Sequence, residues 1–270
     1  MQILGFFLAA LVGVSLGLIG GGGAILTVPI LVYVLGINPV LATSYSLFIV
    51  GSTSMAGAFN NYRKGLVNVK TALLFGLSSI STVFLTRKFL LPAIPEVVFS
   101  YGHVQISQSM ATMLLFAILM LMASIVMIRN KEENNSPIAA VSEVSSVQLP
   151  KLLCYGIFIG LATGFLGAGG GFLIIPALVL LLKMPMKQAI GTSLLIIALN
   201  SLIGFAGDAG HFMINWKFLL IITIIAIAGI FVGGFLAKKM DGNKLKKAFG
   251  WFVLLMGVYI IVKELFFTVL

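Results

Sequence analysis

Two runs of glycine mark places where the backbone itself could bind a ligand: Gly20-Gly21-Gly22-Gly23 and Gly167-Ala168-Gly169-Gly170-Gly171. Glycine interrupts a helix, at a cost of roughly 1 kcal/mol per residue relative to alanine, and lets a ligand approach the main chain closely. A helix that restarts after such a break, with its first turn near Ala24 to Thr27 or Gly171 to Ile174, offers unpaired N–H groups and about half a positive charge. That is anion-binding chemistry, and two such ends converging need no buried Arg or Lys. Polar side chains on the segments that follow could complete it: Thr43-Ser44 in one half, Thr192-Ser193 and Asn200 in the other. Ser193, Asn200, Ser201, Gly204 and Asp208 recur at helical spacing on one face, while Thr43, Ser44, Ser52 and Ser54 form a less regular version. Asp208, the carboxylate beside that face, is a candidate proton-coupling group. The plainer reading puts it at the segment end, in the loop from Gly207 to His211. Glycines and hydroxyls also serve helix packing in membranes. Packing is the better reading for Gly229, Gly233 and Gly234, and binding the better one for the two repeated glycine runs.

The elements that must position these residues lie in a membrane. Of 270 residues, 60% are hydrophobic and 9% charged, with a mean hydropathy of +1.16, more apolar surface than a soluble core of this size could hide. The formal charge of +10 does not call for nucleic acid, because the basic residues sit in short loops, where the positive-inside bias and anionic headgroups account for them. One cysteine, Cys154, excludes a disulfide framework and, with only two histidines, argues against a soft-metal site; no cofactor or metal is expected. The first apolar stretch has no Lys or Arg before it, so Met1 to Gly17 reads as mature protein rather than a signal peptide.

Apolar segments are predicted at about Leu41 to Phe59, Val69 to Leu85 and Ile106 to Ile128, with Arg87-Lys88, Pro92 and Pro95 in an extramembrane loop between the last two. A polar linker, 129–150, separates a first membrane repeat (1–128) from a second (151–270). Gly13, Gly17, Gly20, Gly22, Gly23, Leu26 and Pro29 match Gly160, Gly164, Gly167, Gly169, Gly170, Leu173 and Pro176 at one constant offset. As one straight helix, Ile3 to Leu35 would be about 50 Å long against a hydrocarbon core of about 30 Å. It is either a kinked, tilted crossing or a re-entrant hairpin. Single crossings divide the 17 Lys and Arg almost evenly between the two sides. Hairpins leave Arg87, Lys88, Lys217 and Lys263 on one side and the other thirteen on the opposite side, as the positive-inside rule expects. The expected fold is therefore an all-α polytopic membrane protein. Its two homologous halves form an inverted-topology repeat, each with a Gly-broken re-entrant hairpin plus three transmembrane helices, and both breaks near the midplane.

With Gly17 to Pro29 reading G-x-x-G-G-G-G-A-x-x-x-x-P, Gly164 to Pro176 reading G-x-x-G-A-G-G-G-x-x-x-x-P, and the Ala42-Thr43-Ser44 and Gly191-Thr192-Ser193 pairs, the chain resembles the sulfite exporter TauE/SafE (TSUP) family over essentially its whole length. The resemblance implies export of sulfite, or of a small organosulfonate such as sulfoacetate, across the bacterial inner (cytoplasmic) cell membrane. The partners this implies are a small anionic substrate and the lipid bilayer, with a homodimer left open. An anion channel, or a carrier for a different small anion, is the alternative. An enzyme is not expected: the glycines lack the Lys of a phosphate loop, and neither H-E-x-x-H nor G-x-S-x-G occurs.

Overall fold

The computed structural model describes residues 2–95, 97–101, 104–129, 149–167, 169–182, 184–208, 213–237 and 242–267. Ala168, His211 and most of the linker placed at 129–150 lie outside them. In chain order the elements are α1 (Gln2–Ile19) and α2 (20–34), which is built from a 3-10 turn Gly20–Leu26, a short α-helix Thr27–Pro29 and a π-turn Ile30–Val34. Then come α3 (Pro39–Arg63) and α4 (Val69–Ala93), followed by the strands β1 (Val97–Tyr101) and β2 (Val104–Ser107) and by α5 (Gln108–Arg129). The second half follows as α6 (Leu149–Leu166), α7 (Gly171–Leu181), α8 (Met186–Gly207), α9 (Trp216–Ala237) and α10 (Gly242–Phe267).

Local chemistry sets the helix starts. Asn38 accepts a hydrogen bond from the Val40 N–H just before Pro39 at the first position of α3, Asn68 caps α4 through Thr71 N–H, and Asn215 accepts from Phe218 N–H at the start of α9. α3, α4, α8 and α9 are long and apolar enough to cross a membrane. Large apolar side chains such as Phe7, Leu77, Ile224, Trp251 and Leu255 point outward, as a lipid-facing surface requires.

The pairing of helices is the same when the halves are exchanged. α1 packs on α9 while α6 packs on α4; α3 packs on α9 while α8 packs on α4; and α3 with α8, α5 with α10, and α2 with α7 pair with each other. Glycine makes the first of these contacts close. A Cβ built on Gly17 would lie 2.6 Å from the Gly234 nitrogen, and one on Gly229 2.5 Å from the Ala10 carbonyl oxygen. On the other side, a Cβ on Gly160 would lie 2.6 Å from the Ser79 carbonyl oxygen. Gly229 and Gly233 are therefore packing glycines, as their spacing predicts, and so are Gly13, Gly17, Gly160 and Gly164. Gly234 is not crowded in this way, since the nearest neighbour of a Cβ there is Asn60 Nδ2 at 4.0 Å. Gly229→Val should cost about 1–3 kcal/mol by overpacking and lower the melting temperature in detergent, with Gly234→Ala unchanged; equal melting of the two would contradict the packing role.

Three expectations change. Arg87 does not lie in a loop: α4 runs on through a π-turn, Thr86–Leu90, to Ala93, because Arg87 finds a buried partner in Asp208 and Pro92 falls only one residue before the helix ends. The stretch beyond Pro95, expected as a loop, holds a short β-hairpin, Val97 pairing with Ser107, in an otherwise helical membrane protein. α8 begins at Met186, after Pro185, so Thr192-Ser193 lies in its second turn rather than at its start.

Candidate functional site

The first helix reverses at the glycines. Gly20 has φ +71°, a left-handed conformation that a side chain disfavours, and it turns the chain out of α1. A Cβ on Gly5 would then meet Leu35 Cδ2 at 2.8 Å, whereas thirty residues of straight helix would separate them by about 45 Å. Gly5, Ala9 and Val12 on α1 share a narrow apolar cleft with Thr27, Leu31 and Leu35 on α2, as two antiparallel arms do. The helical turns of α2 already begin within the glycines, as 3-10 structure, rather than near Ala24. In the second half α6 ends at Leu166, Gly170 at φ +66° caps α7, and the helix starts at Gly171 as expected. Leu173 and Ile174 donate the first hydrogen bonds of α7 to the Gly170 carbonyl, which leaves the N–H groups of Gly171 and Phe172 ahead of the ladder.

The two breaks touch. A Cβ on Gly21 would lie 2.6 Å from the Gly171 Cα, and one on Gly171 would collide with the Gly21 carbonyl. Both face the middle of the central helices: Gly21 meets Ile197, and Gly169 meets Ile197, Ser201 and Val50, all near mid-length of α8 or α3. Gly20 reaches Ile190 and Gly167 reaches Thr43, so each turn overshoots the middle toward the start of the other half's central helix.

Among the described residues, the buried hydroxyls of Thr27, Ser44, Ser46, Thr53, Ser54, Thr163 and Ser201 have no hydrogen-bond partner, and neither has the Asn200 Oδ1. Each such group costs about 1–3 kcal/mol when left unmade. Thr163 faces Gly170 and Ser201 faces Gly169. The other candidates are spoken for in this conformation. Thr43 Oγ1 donates to the Val40 carbonyl (2.7 Å), Thr192 Oγ1 accepts from Asn68 N–H (3.0 Å), Ser193 Oγ donates to the Ile190 carbonyl (2.9 Å), and Asn200 Nδ2 donates to Ser79 Oγ (2.6 Å). Ala24 is fully buried.

Asp208 caps the C-terminus of α8, at the segment end as expected, but it is 2% exposed rather than in an open loop. Arg87 Nη1 donates to Asp208 Oδ2 at 3.1 Å, and the arginine is completely buried. Arg87, expected in an extramembrane loop, is thus a buried cation, although the converging helix ends were expected to need none. A buried carboxylate requires a counter-charge, but the burial of Asp208 is seen only in the structure. Thr27 falls in the turn expected after the first break, whereas Thr163 carries no signal in the sequence beyond lying next to the second glycine motif.

On the side where α1 and α9 begin, Gly5, Phe6, Leu35, Asn215, Lys217 and Phe218 line a groove of about 300 Å³ that shares Gly5, Leu35 and Ile222 with the narrow cleft between the two arms.

Comparison with known proteins agrees with this architecture. The family model described as "Sulfite exporter TauE/SafE" matches residues 5–260. A "Probable membrane transporter protein" of Xylella fastidiosa (strain Temecula1) is 34% identical over 254 residues, 93% of this chain and 91% of that one. The "Probable membrane transporter protein YdhB" of Bacillus subtilis is 25% identical over 238 residues, 88% and 91% of the two chains. No solved structure matches. A family match across nearly the whole chain, with relatives of the same length and the same class, places this protein among membrane transporters rather than enzymes: it belongs to the sulfite exporter TauE/SafE family.

Proposed function

We propose that the protein carries a small sulfur-containing anion, sulfite or an organosulfonate such as sulfoacetate, outward across the inner cell membrane. The anion is held where the two glycine breaks meet. The observation that carries this reading is the contact of Gly21 with Gly171 at mid-height of α3 and α8, beside the buried hydroxyls of Thr163 and Ser201, which lack partners among the described residues. Gly20, Gly21, Gly22, Gly23 and Ala24 from one arm, and Gly167, Gly169, Gly170 and Gly171 from the other, would supply backbone N–H groups. Thr43, Ser44, Thr192, Ser193 and Asn200 would supply side-chain donors once their present bonds rearrange.

The two arms are re-entrant hairpins and the halves, 1–128 and 151–270, an inverted repeat. Three things support this: the reversal that brings Gly5 to Leu35, the exchange-symmetric helix pairing, and the concentration of thirteen basic residues on one side. With that topology α1 enters from outside and α6 from the cytoplasm. A membrane potential negative inside favours anion exit by about 2.3 kcal/mol per charge per 100 mV, so no strong coupling ion is needed. Asp208 is the group through which a proton could be coupled, but only in a state where its pair with Arg87 opens.

Purified protein in liposomes should take up labelled sulfite saturably, faster under an imposed potential, with sulfoacetate competing more strongly than chloride. Accelerated exchange against trans substrate identifies a carrier, and ohmic single-channel current identifies a channel. No uptake of any sulfur anion by folded protein would remove the substrate assignment.

A further inference from the structure

We propose that Arg87 is the charged half of an oxyanion subsite on the exit side of the glycine breaks. It would take two oxygens of the anion on its Nε–Nη2 edge while Asp208 holds Nη1. This rests on the anion-carrier reading above and adds to it a residue outside the glycine runs.

A guanidinium presents two forks, one between the terminal nitrogens and one between Nε and Nη2, and each matches the two oxygens of a sulfite, sulfonate or carboxylate. Asp208 engages only one corner, through Nη1. Among the described residues Nε and Nη2 have no hydrogen-bond partner, although the side chain is completely buried. A purely structural arginine in that position would be expected to have its donors satisfied, since an orphan donor on a charged group is among the costliest things a protein can bury. Two adjacent N–H groups left over on one edge are what a transient anion would use.

The surroundings fit a site. Arg87 sits in the π-turn Thr86–Leu90, and such insertions in helices often mark functional positions. Gly207 on α8 leaves it room, since a Cβ there would lie 3.1 Å from the Arg87 Cβ. The preceding residue, Thr86, packs on Gly164, one turn before the second break, so the arginine is joined to the glycine contact by touching residues. By helix rise Arg87 lies about 9 Å from the middle of α4, toward the side that holds Lys88, Lys217 and Lys263.

The exchange of halves sharpens the assignment. Ser79 against Gly160 corresponds to Ala226 against Gly13, and the same register sets Lys70 against Lys217 and Arg87 against Gly234. A Cβ on Gly234 would have Asn60 Nδ2 as its nearest neighbour, at 4.0 Å, so no cation stands at the equivalent position. The cation therefore exists on one side of the exchanged pair and not on the other, so the repeat alone does not call for it.

The test uses purified full-length protein, with equilibrium binding of labelled sulfite in detergent and uptake into liposomes. Arg87→Lys, which keeps the charge and loses the fork, should raise the half-saturating sulfite concentration at least tenfold. The paired replacement Arg87→Met with Asp208→Leu removes both charges, a change that buried ion pairs often tolerate without loss of fold; it should fold and bind no sulfite. Lys88→Gln, one residue away and exposed, should stay within twofold of wild type. A folded double variant with wild-type half-saturation would make Arg87 a structural counter-ion and overturn the subsite, leaving the anion carrier intact. If the double variant does not fold, an unchanged half-saturation in Arg87→Lys overturns it equally. Wild-type protein that neither binds nor transports sulfite, methanesulfonate or acetate would remove the carrier reading and the subsite together.

Discussion

Gly171→Ala is expected to abolish transport while leaving the protein inserted in the membrane. The added methyl group would collide with the Gly21 carbonyl, a backbone atom that cannot rotate away, and the reciprocal change Gly21→Ala meets the Gly171 Cα at 2.6 Å and the end of Ile197. Either substitution must push the two arms apart at the one place where the halves' breaks meet. Overpacking of this kind costs about 1–3 kcal/mol in stability, and displacing N–H donors by an ångström from an anion costs far more in function, on the order of 100-fold. Gly36→Ala is the matched control. Gly36, unlike Gly21 and Gly171, has positive φ, +68°, but nothing lies within 4 Å of a Cβ there, so it carries backbone strain without the collision. Initial uptake rates per inserted molecule separate the two. Wild-type rates in both Gly171→Ala and Gly21→Ala would sink the assignment of the site to this contact.

The second large effect is on stability. Asp208→Leu alone strips the guanidinium of Arg87 of its carboxylate while leaving it completely buried, with Nε and Nη2 already unpartnered. Breaking a buried pair on one side typically costs about 3–5 kcal/mol, because an uncompensated charge remains. The single variant should therefore melt far below wild type and yield little folded protein. The double variant with Arg87→Met should recover most of the loss. A single variant as stable as wild type would mean that water reaches the arginine and that the site is not dry.

Much of this arrangement was legible in the sequence, and what was not has physical causes. The two glycine runs and their constant offset fixed where the chain breaks and that it breaks twice, because glycine's effect on backbone is local. The polar face of α8 was readable from helical spacing, and its residues Ser193, Asn200, Ser201 and Asp208 are indeed buried. Arg87 was not readable. Its charge and the prolines at 92 and 95 lower local hydropathy, so the stretch resembles a loop unless one knows that Asp208 approaches it from 121 residues away. Gly13, Gly17, Gly160 and Gly164 were seen as parts of a repeated motif, but spacing alone does not name the helix that lies against them. The first break differs from its copy in passing straight into a 3-10 turn, where Gly170 gives α7 a discrete cap.

The cross-docking of the halves also has a consequence for biosynthesis. α1 finds its packing partner in α9, with Gly13 against Ala226, and α6 finds its own in α4. At ordinary translation speeds the ribosome needs roughly 10–40 s to make the residues between Gly13 and Ala226. During that time a short arm with a glycine-lined face must wait among lipids without its seat. The second half docks onto a partner already made, whereas the first cannot finish until almost the last helix arrives. The order of synthesis thus makes the N-terminal arm the last part of the first half to be locked in place.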